Sequence, residues 1–192
     1  MRWTMSGPNA ADPAQLQLHL LVLRCQAGDE RAFGRLMEQF GARTLAHLRG
    51  LTGDDAEDVQ QEVWLTVYRN IAGLSNPGAF RTWLYRTTRH RAIDWLRRRK
   101  RERELIEDVV LEAPVSAGAA EPDAMPEMSE ARFNAVLAVL PPPQREVVLL
   151  RYREDLSYAE IALVVGCPIG TVRTRLHHAK RRLQEQLERG VT

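Results

Sequence analysis

The stretch Ser157–Leu187, SYAEIALVVGCPIGTVRTRLHHAKRRLQEQL, decides how the C-terminal half folds. Ser157 and Glu160 have the S-x-x-E spacing of a capping box, so a helix starts after Ser157. Ala159, Ile161, Ala162, Val164 and Val165 supply its apolar side. Gly166 suits the left-handed end of that helix, and Pro168 blocks its continuation. A second helix follows from about Gly170. Val172, Leu176, Ala179, Leu183 and Leu187 recur at steps of three or four and form one apolar stripe. Arg173, Thr174, Arg175, His177, His178, Arg181 and Arg182 point elsewhere. Two helices across a glycine turn, the second with a basic face, form a helix-turn-helix of the kind that reads DNA. Side chains near the start of the second helix can reach base edges, and later ones reach phosphates.

Helical patterns continue upstream, and no alternating strand pattern is convincing, so the expected fold is all-α. Gln15–Gln26 reads as one helix. Asp29 can cap a second, with Phe33, Leu36, Met37, Phe40, Leu45 and Leu48 as its apolar face. Gly50–Gly53 reads as a break. Asp54 or Asp55 can cap a third helix carrying Val59, Val63, Val67 and Ile71. Leu74–Gly78 reads as a loop, and a long helix runs from about Ala79 to Arg103.

Beyond it, residues 105–128 are rich in small residues, proline and acids, and read as a flexible linker. A second helical unit occupies 129–192. Its first helix carries Phe133, Val136, Leu137 and Leu140 and ends at Pro141–Pro143, and Arg145–Arg153 is the next. The expected organisation is a disordered tail 1–14, a helical domain 15–104, the linker, and a helix-turn-helix domain.

Charge is unevenly placed although the formal net charge is only +2. In the long helix Leu84, Thr88, Ala92 and Trp95 fall on a core row. Trp83, Arg86, His90, Asp94 and Arg97 form a positive strip, and RRRKRER follows at 97–103. Basic strips with an aromatic hold nucleic acid through phosphates and stacking. The third helix is opposite in sign, with Asp54, Asp55, Glu57, Asp58 and Glu62 in its first half. Those acids either complement the helix dipole or face another protein.

No stretch approaches a membrane span, and no apolar leader with a cleavage site opens the chain, so the expected location is cytoplasmic. Cys25 and Cys167 lie far apart without metal-ligand spacing. No phosphate-binding loop, carboxylate pair or nucleophile–histidine set converges, so neither an enzyme nor a cofactor or metal is expected. A stand-alone helix-turn-helix regulator would explain the C-terminal half, but not an acidic helix beside a long basic one.

Three segments together resemble a bacterial RNA polymerase sigma factor of the small, extracytoplasmic-function type. DAEDVQQEVWLTVYRNI at 55–71 resembles the region 2 helix that docks on polymerase. FRTWLYRTTRHRAIDWLRRRKR at 80–101 resembles the adjoining helix that contacts the −10 element. Residues 140–183 resemble region 4, which binds the −35 element. The resemblance implies core RNA polymerase as partner (the clamp of its largest subunit and the flap), with promoter DNA and an anti-sigma factor as further partners. It places Asp55, Asp58, Gln61 and Glu62 against polymerase. Asn76 would read a flipped base, and Trp83, Arg86, His90, Arg97, Arg98 and Lys100 would line the nearby DNA path. Arg173, Thr174, Arg175 and His178 would enter the −35 major groove, with Arg181 and Arg182 on its phosphates. The adjacent His177 and His178 depart from the small or basic residues expected there.

Overall fold

The computed structural model describes residues 13–104, 137 and 139–189, and among these every regular element is helical. The order is α1 (Pro13–Gln26), α2 (Glu30–Thr52), α3 (Ala56–Asn70), α4 (Phe80–Glu104), α5 (Pro142–Val148), α6 (Tyr158–Val165) and α7 (Ile169–Arg189). Most of the expected N-terminal tail, the linker, residues 129–136 with Phe133 and Val136, and the Leu187 side chain lie outside the described residues. Pro13 and Ala14, placed in the tail from sequence, already belong to α1.

Local chemistry sets the boundaries. Asp29 caps α2 by accepting from the Ala32 amide at 3.0 Å. α2 runs straight through Gly50 and breaks at Gly53, whose φ of 63° an L side chain would resist. Asp55 sits at the start of α3 but makes no capping bond; its carboxylate is paired with Arg99 of α4 instead. Pro141–Pro143 separate two helices: Leu137 is still helical before them, and α5 opens at Pro142, because proline's missing N–H costs nothing in a first turn. α5 then widens into a π-turn over Leu149–Arg153. The capping box of Ser157 and Glu160 is complete, and Gly166 ends α6 at φ 69°.

The apolar residues form two clusters. Leu36, Phe40, Leu48, Val59, Val63, Phe80 and Leu84 centre the first, where α1–α4 meet. Leu150, Leu156, Ile161, Val164, Val172, Leu176 and Leu183 centre the second, in α5–α7.

The two units are not apart. Tyr85 of α4 is fully buried within the second cluster. Around it, Arg89 Nε donates to Glu146 at 2.8 Å, Thr82 Oγ1 to Glu160 at 3.0 Å, and Arg81 to the Glu154 carbonyl. α4 therefore has three working faces. At 100° per residue, Thr82, Tyr85 and Arg89 lie within about 60° of one another, between the core row and the basic strip. The sequence reading had only the core row and the strip.

Candidate polymerase and nucleic-acid interfaces

The C-terminal helix-turn-helix has the stripe expected of it, with Val172, Leu176, Ala179 and Leu183 buried against α5 and α6. Arg173, Arg181 and Arg182 are exposed on the other side. Arg181 also reaches Glu185, one turn on, at 3.6 Å. Arg175 is half-buried and approaches the Cys167 Sγ at 3.9 Å. His177 and His178 are half-buried, with their rings edge to face at 5.8 Å. Thr174 corrects the sequence reading. It is only 4% exposed, and its hydroxyl donates to the Gly170 carbonyl at 3.0 Å. A side chain held back on its own first turn does not reach into a groove.

The four residues assigned to polymerase divide into two kinds. Asp58 and Gln61 are exposed. Asp55 and Glu62 are engaged by the basic end of α4, Asp55 by Arg99 and Glu62 by both Nη2 contacts of Arg98 at 2.9 Å. Arg98 also lies over the Trp95 ring, 5.3 Å from its centroid. Part of the arginine run assigned to DNA thus also fixes α4 against α3.

Beside Gln61 a groove of about 840 Å³ opens between α2 and α3, lined chiefly by Phe33, Met37, Leu45, Trp64, Leu65 and Tyr68. Leu65 and Tyr68 are each 54% exposed. Sequence reasoning missed this groove. The available signal was the position of Leu65 and Tyr68 off the Val59–Val63–Val67 row, on the outer face with Asp58 and Gln61.

Along α4, Arg86, His90, Arg97 and Lys100 are exposed. Trp83 is half-buried and packs on the first core, its ring 6.1 Å from that of Phe80. Asn76 is exposed and caps the short turn Pro77–Ala79, accepting from the Gly78 amide at 3.0 Å.

Burial shifts the groups between the units. Burial pushes the Glu146 carboxyl up, and the Arg89 charge only partly offsets it. Glu154 is raised for the same reason. His47 of α2 packs edge to face on Tyr85 at 5.5 Å. Burial, aided by the Arg89 charge, lowers its pKa to about 4.

The Sigma-70 region 2 family matches residues 36–102, and the Sigma-70, region 4 family matches residues 130–183. The chain is 31% identical over 183 residues to the ECF RNA polymerase sigma-E factor of Escherichia coli K12, covering 91% of this chain and 96% of that one. It is 33% identical over 184 residues to the RNA polymerase sigma-H factor of Pseudomonas aeruginosa, covering 91% and 95%. Among solved structures it is similar to the sigma factor RpoE in complex with the anti-sigma factor NepR from Bartonella quintana (TM-score 0.60, 27% identity, 81% of this chain and 96% of that one). CnrH in complex with the cytosolic domain of CnrY shares the fold (TM-score 0.60, 24% identity, 89% and 97%). Two sigma-70 regions in the expected order, with full-length relatives of the same kind, place this chain in the sigma-70 family, among its extracytoplasmic-function members.

Proposed function

We propose that this chain binds core RNA polymerase in the cytoplasm and directs promoter-specific initiation, reading the −10 element with α4 and the 74–78 loop and the −35 element with α7. The observation that carries this is the presence in one chain of an acid-flanked apolar groove on α2–α3 and two separate basic helices. The groove with Asp58 and Gln61 is the polymerase-docking surface. Its apolar floor supplies affinity and its acids supply orientation toward a basic partner. Arg86, His90, Arg97 and Lys100 follow the single strand, and Asn76 sits where an extruded base could be read. Arg173 and Arg175 read −35 bases, and Arg181 and Arg182 hold phosphates. The similarity to a sigma factor bound by an anti-sigma factor supports an anti-sigma partner here as well.

The test is transcription of genomic fragments by core polymerase with and without the purified protein, followed by mapping of transcript ends. Defined new start sites are expected, and their absence rejects the reading. The docking surface has its own check. Leu65→Ala with Asp58→Lys should weaken polymerase binding by about tenfold, the size of a modest hot-spot loss. The melting temperature should barely move, because both side chains face outward. Unchanged polymerase affinity would remove the groove from the assignment.

A further inference from the structure

α7 begins one residue earlier than its sequence spacing places it, so Ile169 is its first residue rather than the end of the turn. Ile169 is 44% exposed. Among the described side chains of α7 it alone is large, apolar and left in solvent. Its neighbours keep it open. Pro168 and Gly170 are exposed, and a Cβ at Gly170 would meet nothing within 4 Å. The backbone beneath it is nonetheless fixed. The Thr171 and Val172 amides both donate to the Pro168 carbonyl, at 2.9 and 3.2 Å, so the first turn is closed.

Ile169 stands one turn before Arg173, and His177 stands one turn after it. Each step of four residues advances about 40° around a helix. The row Ile169–Arg173–His177 therefore leaves the edge of the buried stripe at Val172 and winds toward the open side. Arg173 is exposed and His177 half-buried. Thr174, turned back on Gly170, does not intrude on the row. Residues at the start of a recognition helix are the ones that meet base edges.

The chemistry of the first member is restrictive. An isoleucine side chain has no donor or acceptor, so it reads no base by hydrogen bonding. The apolar feature that the major groove offers is the C5-methyl of thymine. Ile169 and Arg173 lie about 6 Å apart along the helix axis, one or two steps of a duplex rising about 3.4 Å per base pair.

We infer that Ile169 is a specificity-determining residue of the −35 surface: it packs on the C5-methyl of a thymine one or two base pairs from the base that Arg173 reads. This rests on the reading of α7 as the −35 helix. The contact differs in kind from those of Arg181 and Arg182. A phosphate contact carries no sequence information and weakens with salt, whereas a methyl contact identifies a base and displaces no counterion.

The experiment uses core polymerase carrying the full chain, and a duplex promoter fragment from a start site mapped as described above. Each thymine of its −35 region is replaced in turn by deoxyuracil, which removes the methyl group and keeps the base pair. The parent should bind one of these duplexes about fourfold more weakly than the unmodified one, the worth of one methyl group taken out of water. That ratio should be the same at low and high salt. Ile169→Ala should bind the two duplexes equally, and Ile169→Val should keep most of the difference. Arg173→Ala, measured beside them on duplexes changed at one guanine, reports on the parent reading of α7.

A parent indifferent to every deoxyuracil overturns the contact, as does an Ile169→Ala variant that still discriminates. Intact discrimination with weaker binding to core polymerase would make Ile169 part of a protein-docking surface instead. Intact discrimination with a lower melting temperature would make it the end of the second core. If Arg173→Ala still changes a base preference, these outcomes remove the Ile169 contact alone. If Arg173→Ala changes none, the −35 assignment of α7 falls with it.

Discussion

α4 and α7 are both long, basic helices that line a core, yet they use their circumference differently. α7 has one buried stripe, and most of its remaining surface is open to solvent. α4 divides its surface among the first core, the C-terminal unit and the basic strip. Apolar periodicity marks a buried face when that face is greasy. The third face of α4 is Thr82, Tyr85 and Arg89, which reads as solvated in sequence. It is buried only because Glu160 and Glu146 arrive to meet it. A single-stripe helix can be read alone, whereas a three-faced helix can be read only with its partners present.

The largest expected effect tests this contrast. Leu176→Ala and Tyr85→Ala each remove a fully buried side chain and should each cost about 3 kcal/mol. The losses should appear in different places. Leu176→Ala lowers the unfolding temperature of the C-terminal unit. Tyr85→Ala should instead release the units from each other, seen as an expanded particle at native helix content. If Tyr85→Ala unfolded one half without expansion, the face would be ordinary core and the contrast would vanish.

His47 sharpens the contrast through pH. Its pKa near 4 lies below the ordinary 6.5, so the unfolded chain takes up its proton first. Its contribution is therefore present above about pH 6.5 and is lost as pH falls through 6.5 toward 4, in total about 3 kcal/mol. Glu146 and Glu154 act in the opposite sense, because their raised carboxyls take up protons first in the folded state. Thermal unfolding of the parent and of His47→Leu across pH 7.5 to 4 separates the contributions. The variant should lose less stability on acidification. Parallel curves would assign the acid sensitivity elsewhere.

The smallest effects lie on the open side of α7. Arg173→Ala should relax the preference for particular −35 bases by about 1–3 kcal/mol, the worth of one bidentate arginine–guanine contact. Arg181→Ala should weaken binding to all sequences alike and reduce the salt slope by about one. Thr174→Ala should leave base preference unchanged, since its hydroxyl is turned to Gly170. Binding of the full chain to duplexes differing by one base, at several salt concentrations, reads all three. A specificity change in Thr174→Ala would mean that the helix remodels on DNA.

Much of the fold around the candidate site was legible where single residues carry local chemistry. The capping box, the Gly166 turn, the Asp29 cap and the α7 stripe all follow from spacing and backbone preference. Asp54 or Asp55 was expected to cap α3; Asp55 holds the N-cap position, but its charge is claimed by Arg99 from another helix. Pro141–Pro143 was read as a stop, and it is also a start, because proline ends one helix and opens the next with the same fixed φ. Trp83 was placed on the DNA strip, yet its ring leans on Phe80 and the first core.

Periodicity along the chain is enough to make it helical, to build two apolar cores, and to place a basic helix with exposed arginines after Gly166. Those properties depend on periodicity and on residues within a turn of each other. Packing between helices alone settles which acids of α3 are paired, that Leu65 and Tyr68 rim a groove, and that α4 carries the other unit on a polar face. The reason is physical. Burying a charged or hydroxyl side chain is favourable only when its counterpart is brought to it, and the counterparts of Arg89 and Thr82 lie 57 and 78 residues away.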